Sequence, residues 1–204
     1  INNLGYYRYR LGRYQEAEAL YQQALDIRER VLKPNDPAIA DTLTNLGELY
    51  KARERADEAI PLLNRALEIR SRSLKADDPA IAASLQNLAG ALELDPKGDK
   101  FAAAQKLLEK ALTIRQKVQR PEHPEVAGAI SKLATNLFNQ GKYREAETRF
   151  LEALAIRRKS QPAKHPEISL TLAGLGLTHI EQKKYAEAEA ELREALTIRE
   201  QVLA

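Results

Sequence analysis

Cysteine, methionine and tryptophan are absent from the 204 residues of this sequence. The absence of cysteine excludes a disulfide framework, a thiolate metal site and a cysteine nucleophile. It also fits a reducing compartment, so the location that we expect is the cytoplasm. No apolar run approaches the ~20 residues that a membrane-spanning helix needs, and we therefore expect no membrane partner.

An excess of charge of one sign is also missing. Charged residues make up 30% of the chain, but 32 Lys and Arg nearly balance 29 Asp and Glu, which leaves a formal net charge of +3. A nucleic-acid binder should show a basic stripe with aromatic residues between the cations, whereas here the two signs are mixed along the same segments. We therefore expect no nucleic-acid partner.

The sequence repeats itself at a nearly constant period. A leucine followed by glycine or alanine recurs in steps of 42, 42, 45 and 42 residues, and the string Ala-Leu-x-Ile-Arg occurs five times in the same register. The leucines are Leu4, Leu46, Leu88, Leu133 and Leu175, and the strings start at Ala24, Ala66, Ala111, Ala153 and Ala195. Two markers in one register indicate a repeat architecture.

Each repeat has the pattern of two amphipathic helices. Apolar residues recur at helical spacing from Leu43 to Tyr50 and again from Ala59 to Leu74. Neither helix pair could bury its apolar stripe alone, so we expect neighbouring pairs to stack into one continuous core. Because alternating strand patterns are missing, the predicted fold class is all-α.

Prolines mark where new repeats start. Pro37, Pro79, Pro124 and Pro166 follow Asp36, Asp78, His123 and His165. Proline suits the first position of a helix, and the side chain before it can cap that helix. We predict one array over 1–204 with repeats at about 1–36, 37–78, 79–123, 124–165 and 166–204. The chain starts with Ile1 inside a helical pattern, and we expect both ends to be truncated from a longer protein.

The turn between the two helices of a repeat carries glycine in two copies, Gly12 and Gly141, and Glu54 or Lys183 in two others. Glycine favours the left-handed backbone that ends a helix, so the other two turns are less well defined by sequence. The third repeat has three extra residues between Leu92 and Phe101. We interpret them as a tolerated surface insertion, with a partner-contacting loop as the alternative.

The spacing of Leu46, Gly47, Tyr50, Ala59 and Leu63 resembles the tetratricopeptide signature, and Ala66 continues it. The repeat is longer than the usual ~34 residues. That variant is similar to the kinesin light chain type, with phrases such as Asn2-Asn3-Leu4-Gly5. The resemblance covers the whole chain and implies a right-handed α-solenoid of five antiparallel helix pairs. HEAT repeats have a similar period but lack these small residues.

The resemblance also implies a peptide-binding groove lined by the first helices. In kinesin light chains an asparagine directly before the leucine marker helps to bind cargo peptide, and Asn3, Asn45 and Asn87 match it, whereas Lys132 and Gly174 depart from it. An amide can both donate to and accept from an extended backbone. The alternative is that these asparagines merely face solvent or cap a helix. The predicted groove residues are Asn3, Tyr6, Asn45, Glu48, Lys51, Asn87, Lys132 and Thr135.

Positions that repeat in all five copies are expected to be structural. Arg28, Arg70, Arg115, Arg157 and Arg199 are therefore interpreted as scaffold residues, with a carboxylate-binding ladder as the alternative. Of three histidines, His123 and His165 stand at helix starts and His179 aligns with the packing residue Tyr50. No histidine has a nucleophile at a suggestive spacing and no glycine-rich phosphate loop is present, so we expect no enzyme, cofactor or metal site.

Three functions remain open. The leading hypothesis is a scaffold that binds an extended peptide or protein segment. The second is the sensor or regulatory arm of a larger signalling enzyme or NTPase. The third is self-assembly into a homo-oligomer through the last helix, where Leu192, Leu196, Ile198 and Val202 are expected to lie uncovered.

Overall fold

The structure is a computed structural model that describes residues 1–94 and 100–203, the last of these by its backbone alone. Over these residues the chain forms ten α-helices and no strand, which confirms the all-α class and the five helix pairs. The helices are α1 (Asn2–Arg10), α2 (Tyr14–Val31), α3 (Pro37–Ala52), α4 (Ala56–Ser73), α5 (Pro79–Leu92), α6 (Phe101–Val118), α7 (Pro124–Asn139), α8 (Tyr143–Ser160), α9 (Pro166–Glu181) and α10 (Tyr185–Leu203). The core of the predicted insertion, at 95–99, lies outside the described residues.

Four first helices begin at the prolines that the sequence indicates. The side chain before each proline accepts a hydrogen bond from the backbone N–H two residues ahead, from Ala38 to Asp36 at 2.9 Å and from Glu125 to His123 Nδ1 at 3.2 Å. Asp78 and His165 make the same contact. The interpretation of both histidines as helix caps is confirmed.

The turns between paired helices share one backbone conformation whether or not glycine is present. Gly12 and Gly141 both have φ of 72°, and Glu54 and Lys183 have φ of 57° and 63°. A left-handed non-glycine residue costs about 1–2 kcal/mol. The packing of the two helices therefore sets this turn, and glycine only makes it less costly.

Contacts between Cα atoms divide the chain into two compact units, Ile1–Leu107 (unit 1) and Leu108–Ala204 (unit 2). In unit 1, the paired helices approach closely at the leucine marker, because a Cβ on Gly47 would lie 2.7 Å from Leu63 Cγ. In unit 2, a Cβ on Gly176 would lie 2.8 Å from Leu192 Cγ. The glycine after these two marker leucines thus leaves the space that a leucine of the second helix in the same pair occupies.

In unit 1 the repeated arginine joins α4 to both α3 and α5, and α2 to α3. Arg70 at the end of α4 is nearly buried, at 9% exposure. It donates to Thr44 Oγ1 (3.1 Å) and Asp41 Oδ1 (2.7 Å) on α3, and to Ser84 Oγ (2.6 Å) on α5. Arg28 on α2 donates to the hydroxyl of Thr42 on α3, the residue equivalent to Ser84.

Unit 2 repeats the arrangement. Arg157 on α8 donates to Ser131 Oγ on α7 at 3.0 Å and to the hydroxyl of Thr171 on α9, and it pairs with Glu167. Burial lowers the pKa of Arg157, while the charge of Glu167 opposes that shift. Arg115 pairs with Glu125 at 2.9 Å. The interpretation of these arginines as scaffold residues is confirmed.

The expectation for the last helix was wrong at Ile198 and holds only in part at Leu192, which is partly buried with its Cγ over Gly176 of α9. Ile198 is buried, with 6% exposure, whereas Leu196 and Val202 on the same helix are half exposed. The equivalent residue in α4, Ile69, packs on Ile39 and Leu43 of its own first helix. The isoleucine of the Ala-Leu-x-Ile-Arg string therefore faces the first helix of its own pair and does not contribute to an uncovered apolar stripe.

Replacing Arg70 with alanine should lower the free energy of unfolding by about 2–3 kcal/mol, because three hydrogen bonds between helices are lost. Arg72→Ala is the matched control, since Arg72 is two-thirds exposed and its ion pair is with Glu68 on its own helix. It should change stability by less than about 0.5 kcal/mol. Urea denaturation followed by circular dichroism measures both. Equal effects of the two substitutions would contradict a scaffold role for Arg70.

Candidate functional site

The first helices of unit 1 lie in sequence order, with α3 in contact with both α1 and α5. We call the surface that they share the first-helix face. The predicted residues of unit 1 all lie on these three helices, with Asn3 and Tyr6 exposed and Asn45, Glu48, Lys51 and Asn87 partly buried. The structure thus brings together six of the eight predicted groove residues in one unit.

Two of the predicted asparagines bridge neighbouring first helices. Asn45 Nδ2 donates to Asn2 Oδ1 at 3.2 Å, and Asn87 Nδ2 donates to Glu48 Oε1 at 2.8 Å. A carboxamide has two N–H donors and one carbonyl acceptor, so one hydrogen bond of this kind leaves capacity for others. The bridges hold the amide groups in fixed positions between the helices.

An open cavity of about 440 Å³ lies on the first-helix face. Two predicted residues, Glu48 and Lys51, are among its lining residues, which are Tyr9, Glu48, Lys51, Ala52, Gly90 and Leu94. Burial, followed by the negative charge of Glu48, raises the pKa of Tyr9, so its phenol stays protonated near neutral pH. The cavity therefore offers a carboxylate, an ammonium and a neutral hydroxyl to a ligand.

Gly90 is a lining residue that the sequence interpretation missed. A Cβ at this position would lie 3.0 Å from Lys51 Nζ, so the glycine makes room for the lysine head group. The other repeats have Tyr6, Glu48, Thr135 and Leu177 at the equivalent position. A signal was available, because glycine inside a helix costs about 0.5–1 kcal/mol relative to alanine and calls for a reason.

Tyr6 and Arg10 form an exposed pair on α1. Arg10 Nη1 donates to the Tyr6 hydroxyl at 3.0 Å, and its guanidinium carbon lies 5.9 Å from the centre of the Tyr6 ring. Tyr6 is 47% exposed. The pair presents a flat, cationic surface of the kind that suits carbonyl or carboxylate groups.

In unit 2, the two remaining predicted residues, Lys132 and Thr135, lie exposed on α7. The Thr135 hydroxyl donates to the backbone oxygen of Ser131 at 3.1 Å, a bond within its own helix. On α9 the asparagine position is Gly174, where a Cβ would lie 2.6 Å from Phe150 Cζ. At Gly174 the Phe150 ring of α8 therefore fills the space that an asparagine side chain would need, whereas the series of asparagines already ends at Lys132.

Neither a metal site nor a membrane-spanning helix is present among the described residues. Between 1 and 94 and between 100 and 203, no group of three His, Asp or Glu side chains is arranged so that it could hold a metal ion. In the same part of the chain, every helix is too short or too polar to cross a membrane.

Comparison with known proteins identifies relatives over the whole chain. A sequence profile of the tetratricopeptide repeat matches residues 1–71, 39–95, 97–159 and 126–201. A search of curated proteins gives no significant match.

Solved structures match closely. A crystal structure of a putative kinesin light chain with nearly identical TPR-like repeats, from Podosopora anserina, is 25% identical with a TM-score of 0.81, and the match covers 98% of this chain and 94% of that chain. BtubC (BKLC) from P. vanneervenii is 25% identical with a TM-score of 0.82, over 98% of this chain and 79% of that chain. A Rap protein complexed with Competence and Sporulation Factor is 18% identical with a TM-score of 0.79, and the match covers 97% of this chain and 52% of that chain.

Gly90→Ala should raise the free energy of unfolding by about 0.5–1 kcal/mol, because alanine is the better helix former and the flexible end of Lys51 can move away. The matched control is Gly128→Ala on α7, where a Cβ would meet nothing within 4 Å. Urea denaturation measures the change in the free energy of unfolding for each variant. If Gly90→Ala destabilises the protein while Gly128→Ala stabilises it, the Lys51 head group is held rigidly over Gly90.

Proposed function

Because this chain belongs to the tetratricopeptide-repeat family, we propose that it is a non-enzymatic interaction module whose first-helix face in unit 1 binds an extended segment of a partner protein. The observation that carries the proposal is the pair of amide bridges, Asn45 to Asn2 and Asn87 to Glu48. Each bridge fixes one carboxamide on a first helix, and each carboxamide can both donate to and accept from a peptide backbone.

The spacing of the helices supports an extended ligand. Packed helices lie about 8–10 Å apart, and an extended chain advances about 3.3 Å per residue. Equivalent asparagines on α3 and α5 would therefore meet backbone groups about three residues apart. A helical ligand, which advances only about 1.5 Å per residue, would need about six residues for the same span.

The remaining groups of the first-helix face would select among partner side chains. Glu48 and Lys51 place opposite charges in one cavity, and Arg10 with Tyr6 adds a cation beside an aromatic ring. Such a surface favours polar segments of mixed charge over strongly acidic or basic ones. The fold is also the one in which a Rap protein was crystallised with Competence and Sporulation Factor, which supports its use for holding a ligand.

The test uses a displayed library of random unstructured peptides, selected against the folded 204-residue chain. The double substitution Asn45→Ala with Asn87→Ala should lower the affinity for the selected peptides about 10-fold to 100-fold, because two amides that bind the peptide backbone are lost. Calorimetry measures the affinity. Asn64→Ala is the control, since Asn64 is exposed on the second helix α4. It should leave the affinity unchanged, and circular dichroism should show all variants folded.

Unchanged affinity in the double variant would show that the peptides bind elsewhere. Selection of no peptide from a library that spans acidic, basic and mixed segments would also count against the proposal.

A further inference from the structure

A buried imidazole connects three helices of unit 2. His179 on α9 is only 5% exposed, and both of its ring nitrogens meet carboxylates. Nδ1 lies 2.8 Å from Glu191 Oε2 on α10, and Nε2 lies 3.1 Å from Glu147 Oε1 on α8. We call these three side chains the acid–imidazole trio.

Both contacts can be hydrogen bonds only if the trio holds an additional proton. An ionised carboxylate only accepts, and a neutral imidazole has one N–H donor. If both acids are ionised and the ring is neutral, one ring nitrogen directs its lone pair at a carboxylate oxygen. One proton removes this conflict, either on the ring or on one carboxyl, and it then belongs to the coupled groups together.

The surrounding charges place that proton between His179 and Glu191. Burial would raise the pKa of Glu147, but hydrogen bonds, chiefly from Lys184, lower it to about 2. Lys184 Nζ lies 2.8 Å from both Glu147 oxygens. Burial raises the pKa of Glu191; the hydrogen bond and the charge of His179 oppose this shift, the charges of Glu147 and Glu187 add to it, and the pKa is raised on balance. Glu147 is thus the fixed anion, and Glu191 is the acid that shares the proton.

We propose that the acid–imidazole trio is a proton-dependent clamp that joins α8, α9 and α10 and loosens when the shared proton leaves at alkaline pH. Loss of the proton turns the contact between Nδ1 and Glu191 from attraction into repulsion in a largely buried place. The other bond, from Nε2–H to Glu147, survives. The contact that weakens is therefore the one that holds α10 to α9.

The second repeat provides an internal comparison without such a proton. The residues equivalent to Glu147, His179 and Glu191 are Glu18, Tyr50 and Leu62. The Tyr50 hydroxyl donates to Glu18 Oε1 at 3.0 Å, while its ring packs with Leu62 on one apolar cluster. A phenol brings its own donor, so this version of the contact needs no additional proton.

The direction of the pH effect follows from proton counting. Above about pH 6.5, where a free imidazole loses its proton, the unfolded chain holds no proton on these three groups. The proposed clamp requires one proton there, because only then are both ring contacts hydrogen bonds. Folding therefore binds a proton, and stability is greatest at the lower pH and is lost as pH rises. A full proton corresponds to a tenfold change in the folding equilibrium constant for each pH unit.

The experiment compares urea denaturation of the 204-residue chain and of its Glu191→Gln variant from about pH 6 to about pH 9. Glutamine can donate to a neutral imidazole, so the variant satisfies both ring nitrogens without the additional proton. We expect the folding equilibrium constant of the wild type to fall relative to the variant, by up to tenfold per pH unit. A constant ratio over the whole range would overturn the proposal.

A second variant covers the case in which glutamine disturbs the packing. The double variant His179→Tyr with Glu191→Leu gives the fifth repeat the residues that the second repeat has at these positions, Tyr50 and Leu62. It should fold, and its stability should lack the pH dependence. Hydrogen exchange, compared between proteins at each pH, should show α10 of the wild type losing protection first, whereas α2 in unit 1 should not differ. A double variant with the pH dependence of the wild type would show that other groups cause it.

Discussion

The guanidinium group that ends each second helix is the contact on which the arrangement of the helices depends. A buried cation is costly unless it is paired and fully hydrogen-bonded. Arg70 meets this condition through side chains on two first helices, α3 and α5. Arg157 is likewise held by α7 and α9 through its terminal nitrogens, although its buried Nε has no hydrogen-bond partner among the described residues. Displacing either first helix would strand the charge, so the arginine ties the helices on either side of it to one position.

The first-helix face follows from this constraint. The side-chain caps at Asp36 and Asp78 set where α3 and α5 begin, and the arginines set how these helices lie beside α2 and α4. With start and position determined, equivalent residues on successive first helices come into register. The amide bridges from Asn45 and Asn87 depend on that register, since each joins residues about one repeat apart.

Sequence periodicity predicted the parts of the molecule that recur and failed where one copy differs. The helix pairs, caps and arginines recur, so five copies of each could be compared within one chain. The partners of His179, by contrast, come from α8 and α10, and no other repeat has this combination. Ile198 was misjudged because helical spacing shows which residues are buried but not which neighbouring helix buries them. Gly90 was missed because its role concerns one lysine head group.

The second helix of one repeat is followed by the first helix of the next, and we number these junctions in chain order. The pair of residues at equivalent positions differs from one junction to another. Glu18 meets Tyr50 at the first junction, Ile60 and Leu92 pack on one apolar cluster at the second, and Glu147 meets His179 at the fourth. At these three junctions the two sides differ together, because a buried polar group without its partner costs about 1–3 kcal/mol whereas a matched polar or apolar pair does not. The polar version at the fourth junction has a further consequence. It makes the packing of α10 depend on one proton, a dependence that the apolar version at the second junction does not have.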